Sequence, residues 1–265
     1  MTFAIAFPTI DPVLVEIGPL AIRWYSLAYI AGIVLGWRYA RRLAARLPGS
    51  PSPTDIDDYI VWLTLGIIIG GRLGYVIFYK FAYYIANPVE ILQVWQGGMS
   101  FHGGLIGVVV AGVLFAKRRQ ISILRLADVT ACAVPMGLFF GRLANFINGE
   151  LYGRVSDVPW AMVFPGGGPE PRHPSQLYQA ALEGVVLFAL LLVVSRTARN
   201  GDGLLTGVFL TGYGCFRVVG ELFRQPDAHI GFLLGGTTFG QLFSVPMIAV
   251  GAWLIVRAKS PSVAR

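Results

Sequence analysis

Tyr59-Ile-Val-Trp-Leu-Thr-Leu-Gly-Ile-Ile-Ile-Gly-Gly-Arg-Leu-Gly-Tyr-Val-Ile-Phe78 carries no charge apart from Arg72. A block of about 18 or more apolar residues is long enough to cross the hydrocarbon core of a bilayer. Blocks of this kind recur along the chain, without the alternating or amphipathic spacing of half-buried elements. Composition agrees, because 55% of the 265 residues are hydrophobic and only 13% are charged. That charged share is about half of what a soluble domain carries. A soluble fold is excluded.

Seven spans are predicted, near Ile17–Trp37, Tyr59–Phe78, Phe101–Ala116, Leu126–Asn145, Ser175–Ser195, Leu204–Phe223 and Phe239–Val256. The fold class is an all-α polytopic membrane protein, and the chain reads as one domain over 1–265. Its basic residues set the direction. On one side lie Arg38, Arg41, Arg42, Arg46, Lys117, Arg118, Arg119, Arg125, Arg196, Arg199, Arg257, Lys259 and Arg265. The other side has only Lys80, Arg142, Arg154, Arg172 and Arg224. Positive charge marks the cytoplasmic face, so the N-terminus is expected outside and the C-terminus inside. External segments then fall near 81–98 and 149–174.

The net charge of +7 suggests nucleic acid at first sight. However, the basic residues sit in short clusters between apolar blocks, which is a topology signal, so no nucleic-acid partner is expected. Met1–Leu20 lacks a positive n-region, and Asp11, Pro12 and Pro19 interrupt it, so it does not read as a secretory signal. Cys132 and Cys215 both fall in predicted spans, which argues against a disulfide framework or a metal site. No nucleotide loop is visible, and neither cofactor nor metal is expected.

Charged residues inside apolar spans carry the functional signal, since an arginine at a helix centre costs about 2.5–3.5 kcal/mol on insertion scales. Tyr213, Arg217, Glu221 and Arg224 are spaced to share one helical face. An Arg217–Glu221 pair that serves only packing is the plain alternative to a basic wall on a lipid-accessible cavity. At the end of the fourth span, Arg142 and Asn145 share a face, with Asn148, Glu150 and Arg154 close behind. A guanidinium fork suits a phosphate; an arginine snorkelling at an ordinary membrane exit is the alternative. His102 opens the third span beside Gly103 and Gly104, as a proton acceptor or as a simple interfacial residue. Tyr25, Tyr75 and Tyr79 fit an aromatic belt. All three polar clusters fall towards the outer side, which points to one externally facing site for an anionic, phosphate-bearing lipid.

Gly141-Arg-Leu-Ala-Asn-Phe-Ile-Asn-Gly-Glu-Leu-Tyr-Gly153 resembles the diagnostic segment of the bacterial prolipoprotein diacylglyceryl transferase family. Further matches run in order along the chain. They are Phe7-Pro8…Ile10-Asp11-Pro12, Ile22-Arg-Trp-Tyr25, Gly71-Arg-Leu-Gly-Tyr75 and Ser100-Phe-His-Gly-Gly-Leu105. Arg172-His-Pro-Ser-Gln-Leu-Tyr178 and Phe216-Arg217…Glu221-Leu-Phe-Arg224-Gln-Pro-Asp227 complete the set. The segment between Gly153 and Arg172 is shorter than in many members, so the resemblance bears on lipid chemistry more than on acceptor-peptide handling.

The resemblance implies transfer of the diacylglyceryl group of phosphatidylglycerol to the lipobox cysteine in the signal peptide of a prolipoprotein. Glycerol phosphate leaves, and lipoprotein maturation begins. It also implies a multi-pass protein of the bacterial inner membrane, among membrane lipids, with its site towards the periplasmic leaflet. The matching residues are Tyr25, His102, Arg142, Asn145, Glu150, Gly153, Tyr213, Arg217 and Glu221. Within that reaction Arg142 and Arg217 are expected on the phosphate, with Arg224 as a recruiter. Glu150 and Glu221 are expected to orient the arginines, while Asn145 and Tyr25 hold the headgroup. His102 or a nearby carboxylate is expected to take the thiol proton. The rival class is an anion channel or carrier lined by Arg142 and Arg217.

Overall fold

The computed structural model describes residues 5–258 other than 9, 19, 48, 50, 198–200 and 227–230. Arg199, Asp227, His229, Lys259 and Arg265 therefore lie outside the described residues. The described chain is mostly helical. Among the described residues five helical segments are long and apolar enough to cross a bilayer: Pro53–Tyr79, Phe101–Arg119, Ile123–Ile147, Ser175–Arg196 and Phe239–Ala258. Their outward side chains are apolar, including Leu65, Ile69, Val109, Val193 and Trp253, each more than half exposed. Apolar patches on that scale belong against lipid. The chain is a multi-pass membrane protein. It divides into two compact units, one of Met1–Tyr39 with Thr130–Arg265 and one of Ala40–Val129.

In the first unit, β1 (Ile5–Ala6) pairs in parallel with β4 (Met162–Val163). β2 (Val13–Ile17) and β3 (Leu20–Arg23) form an antiparallel hairpin. α1 (Trp24–Ala44) starts only after that hairpin. The expected first span, beginning at Ile17, is thus corrected at its start, and the all-α expectation gains short strands. Val13-Leu-Val-Glu-Ile17 is rich in β-branched residues, which suit a pleated strand. Gly18 turns the chain at φ +59°, a conformation that is strained for residues with a Cβ. The Trp24 N–H donates to the Pro12 carbonyl at 3.1 Å and so fastens the hairpin to the helix start.

α5 (Ile123–Ile147) meets α1 at Gly32, where a Cβ would lie 3.0 Å from the Cα of Gly137. α6 (Ser175–Gln179) passes into a π-helical stretch, Ala180–Val186, and then α7 (Leu187–Thr197). α8 (Leu204–Phe223) packs along α9 (Phe239–Ala258), with Gly214 against Ser244 and Ile248. The segment after α5 has a small core of its own. Phe164 is fully buried, and its ring lies 5.1 Å from Phe7 and 5.5 Å from Tyr152.

The second unit is built on α2 (Pro53–Tyr79) and α4 (Phe101–Arg119), joined through α3 (Phe81–Ala86) and two short 3₁₀ turns. Ser52 and Asp55 form a capping box at the start of α2. Gly66, Gly70 and Gly74 of α2 face Gly103 and Gly107 of α4. A Cβ on Gly74 would lie 2.7 Å from the Gly103 Cα, and one on Gly66 would lie 2.6 Å from the Gly107 carbonyl. Small residues at four-residue spacing let two helices touch backbone to backbone, where dispersion rather than hydrophobic burial drives association in lipid. Gly103 makes such a close approach, whereas a Cβ on Gly104 would make only ordinary contact.

Candidate active site

The α8 stripe is an ion-pair ladder. Arg217 Nη2 lies 2.7 Å from Glu221 Oε1, and the same oxygen accepts from Arg224 Nη1 at 3.2 Å. Helical spacing of four and three residues brings these groups together. Gly240 at the start of α9 makes room for the carboxylate, because a Cβ there would lie 2.6 Å from the Glu221 Cδ. Tyr213, one turn before Arg217, lies within the field of Arg217, Arg142 and the neighbouring carboxylates.

Two further helical elements complete the cluster. Arg142 of α5 lies 3.5 Å from Glu183 Oε2, and Arg217 Nη1 lies 3.6 Å from Glu183 Oε1. Glu183 is fully buried and sits in the π-helical stretch. Two guanidiniums from different helices thus share one carboxylate. Arg217 Nη1 is buried and has no hydrogen-bond partner, because 3.6 Å is too long for one. Three guanidiniums meet two carboxylates here, leaving one positive charge in excess. An excess positive charge in a low-dielectric setting is chemically able to receive an anion.

The loop after α5 is fixed onto the same helices. Asn145 Nδ2 donates to Glu150 Oε1 at 2.8 Å, and Gln176 Nε2 donates to the Glu150 carbonyl at 2.6 Å. Arg142 thus lies against Glu183, Arg217 and Arg224 lie against Glu221, and Glu150 accepts from Asn145. Arg154 donates through Nε to the Arg224 carbonyl at 3.1 Å and through Nη2 to the Glu221 carbonyl at 3.0 Å. It caps the C-terminal carbonyls that α8 leaves unpaired. Gly153 pairs with Arg224 in a β-bridge, and a Cβ there would lie 2.6 Å from the carbonyls of His173 and Phe223. Leu151 takes φ +57°, a strained conformation worth about 1–3 kcal/mol. The Tyr25 and Tyr29 rings are tilted at 46° with centroids 5.1 Å apart, and Tyr29 lies within the field of Tyr25, Glu150 and Arg142.

Residues 12–257 match the family described as prolipoprotein diacylglyceryl transferase. The chain belongs to that family. It is 59% identical over 261 residues to a phosphatidylglycerol–prolipoprotein diacylglyceryl transferase of Paramagnetospirillum magneticum, covering 97% of each chain. The protein of the same name from Rhodospirillum rubrum is 59% identical over 263 residues, covering 98% of this chain and 96% of its own. That from Azospirillum brasilense is 56% identical over 260 residues, covering 97% of both.

In this member of the diacylglyceryl transferase family, the first unit holds Tyr25, Arg142, Asn145, Glu150, Gly153, Tyr213, Arg217, Glu221 and Arg224. His102 belongs to the second unit, exposed in the first turn of α4, whose N-cap Ser100 accepts from the Gly103 N–H at 3.2 Å. The sequence reading missed Glu183, Gln176 and Tyr29. Glu183 had a signal, as a carboxylate inside an apolar span. Gln176 had one in the motif Arg172–Tyr178, and Tyr29 in lying one turn beyond Tyr25. Among the described residues no cluster of three or more metal-ligating side chains occurs.

Proposed function

We propose that the chain transfers the diacylglyceryl group of phosphatidylglycerol to the lipobox cysteine thiol of prolipoproteins, releasing glycerol phosphate. The carrying observation is the pair of guanidiniums from two helices on one buried carboxylate, with a donor of Arg217 left without a partner. Arg142 and Arg217 bind the phosphate, and Arg224 draws the headgroup in. Glu183 and Glu221 hold the forks in place. Asn145 and Tyr25 contact the headgroup, with Glu150, Gly153 and Tyr213 shaping its seat.

His102 takes the proton from the cysteine. The thiolate attacks the glyceryl carbon, a C–S bond forms, the C–O bond to phosphate breaks, and the electron pair leaves on a phosphate held by arginine. Charge that grows on the leaving oxygen meets donors already in position, which lowers the barrier without reorganisation. The nucleophile comes with the substrate, so Cys132 and Cys215 need no part in the chemistry.

The proposed setting is one domain with seven spans in the bacterial inner membrane. α1 and α8 add to the five apolar helices, the N-terminus lies outside, and the site faces the periplasmic leaflet. Purified protein with labelled phosphatidylglycerol and a lipobox peptide tests the proposal. The peptide should gain a diacylglyceryl mass while glycerol phosphate is released. A peptide that never gains it, with anions crossing liposomes instead, would establish the carrier reading.

A further inference from the structure

Arg72 lies outside the ion-pair cluster, and no step above uses it. It is 4% exposed, near the outer end of α2. Its guanidinium donates to four backbone carbonyls: Nε to Ile91 at 2.9 Å, Nη2 to Glu90 at 2.6 Å, and Nη1 to Gly97 at 2.6 Å and Gly98 at 3.3 Å. The plane also stacks on Tyr84, 5.1 Å from the ring centroid. The Glu90 carboxylate is close by in sequence yet accepts from Tyr83 at 2.7 Å. Arg72 thus spends its donors on main chain alone.

Those four carbonyls belong to the segment that leads into α4. Two residues past Gly98, the Ser100 N–H donates to the Gly71 carbonyl at 2.8 Å, beside Arg72 itself. Ser100 then caps α4, and His102 follows in its first turn. Gly98 has φ +77°, and a Cβ there would lie 2.8 Å from Arg72 Nη1 and 2.6 Å from Tyr75 Cε1. The glycine seam fixes how α2 and α4 lie against each other. The arginine fixes the chain that enters α4.

We propose that Arg72 is a positioning residue for transfer, a clasp that holds the segment from Glu90 to Gly98 so that His102 is presented in one place. The proposal rests on the proton-acceptor role given above to His102. Lysine cannot substitute, because an ammonium is a point donor and cannot span carbonyls spread over nine residues of chain. A misplacement of about 1 Å can cost about 100-fold in rate.

The test uses full-length protein in phosphatidylglycerol-containing nanodiscs, with Arg72→Lys, Gly98→Ala and His102→Gln. Arg72→Lys and Gly98→Ala should each lower kcat about tenfold or more and leave KM for phosphatidylglycerol within about twofold, as expected when orientation alone is lost. Hydrogen exchange should rise in residues 97–104 and stay unchanged in α8. On the His102→Gln background, Arg72→Lys should cost little further activity. Wild-type kcat in Arg72→Lys, or exchange that rises across both units, would overturn the clasp. If His102→Gln keeps full turnover, the proton-acceptor assignment fails, and the exchange of residues 97–104 in Arg72→Lys still decides whether the clasp exists.

Discussion

Arg217 and Arg72 both sit in apolar helices, and their partners differ in kind. Arg217 faces carboxylates, Glu221 at 2.7 Å and Glu183 at 3.6 Å, and one of its donors stays unpartnered. Arg72 faces no carboxylate among the described residues; it donates to four carbonyls, lies over the Tyr84 ring and closes a loop. A carboxylate can hold a guanidinium in the membrane yet be outcompeted locally by a phosphate, because the cluster keeps one positive charge in excess. Carbonyl dipoles solvate a guanidinium from several sides and leave it little to offer a ligand. On the proposed reading one residue type serves binding in one unit and architecture in the other, and the partner set is what separates the two.

The largest expected effect is at Arg217. Arg217→Lys should lower transfer about 100- to 1,000-fold, the range seen when one preorganised donor is lost. Charge is kept and only the planar fork is removed, so equal activity of Lys and Arg would reduce the site to a point charge. The contrast with Arg72 would then lie in charge rather than in geometry. Glu183→Gln comes next. Breaking a buried ion pair from one side costs about 3–5 kcal/mol, because the orphaned charges stay buried. Thermal unfolding in detergent should shift down by several degrees, and phosphatidylglycerol affinity should change with it. A variant as stable as the parent would mean that Arg142 and Arg217 do not depend on their shared carboxylate.

A smaller effect is expected at Gly153, in the scaffold under the cluster. Gly153→Ala places a methyl 2.6 Å from two carbonyls, so main chain must move. Overpacking of this kind costs about 1–3 kcal/mol. Transfer should fall while hydrogen exchange on the α2–α4 seam stays the same. Loss of protection on that seam would show that the two units do not respond separately.

Much of this contrast was written in the sequence, though unevenly. The apolar blocks gave away the helices by their length, and the 213–217–221–224 spacing gave away the α8 face by its helical period. The hairpin at Val13–Arg23 escaped because its β-branched run abuts an apolar span, and hydropathy alone cannot tell a strand from the start of a helix. Glu183 was visible as a charge in an apolar span, yet its pairing with Arg142 and Arg217 depends on helix packing that no local pattern encodes. Arg72 stood in the Gly71–Tyr75 motif without a role, since its partners lie 18 to 26 residues on, in a loop with no periodicity.

The smallest effect separates the units by pH. His173 packs under Gly153, with its ring 5.2 Å from Phe223 and its Nδ1 3.1 Å from the Tyr178 hydroxyl. Burial holds its pKa below the ordinary value of about 6.5, and the charge of Asp157 opposes this only in part. The neutral ring is therefore the form that the fold prefers. As pH falls through 6.5 the unfolded chain takes up a proton first, and stability present at pH 7.5 is lost progressively down to the lower folded value. Hydrogen exchange, corrected for its intrinsic pH dependence, should quicken around residues 153–155 and 172–174 between pH 7.5 and 5.5. The contacts of Gly66 and Gly70 with Gly107 in the α2–α4 seam are glycine against glycine, more than a turn beyond the exposed His102, and they should hold their protection. His173→Gln should flatten the first response. Equal acid sensitivity in wild type and His173→Gln would place the titrating group elsewhere in the segment between α5 and α6.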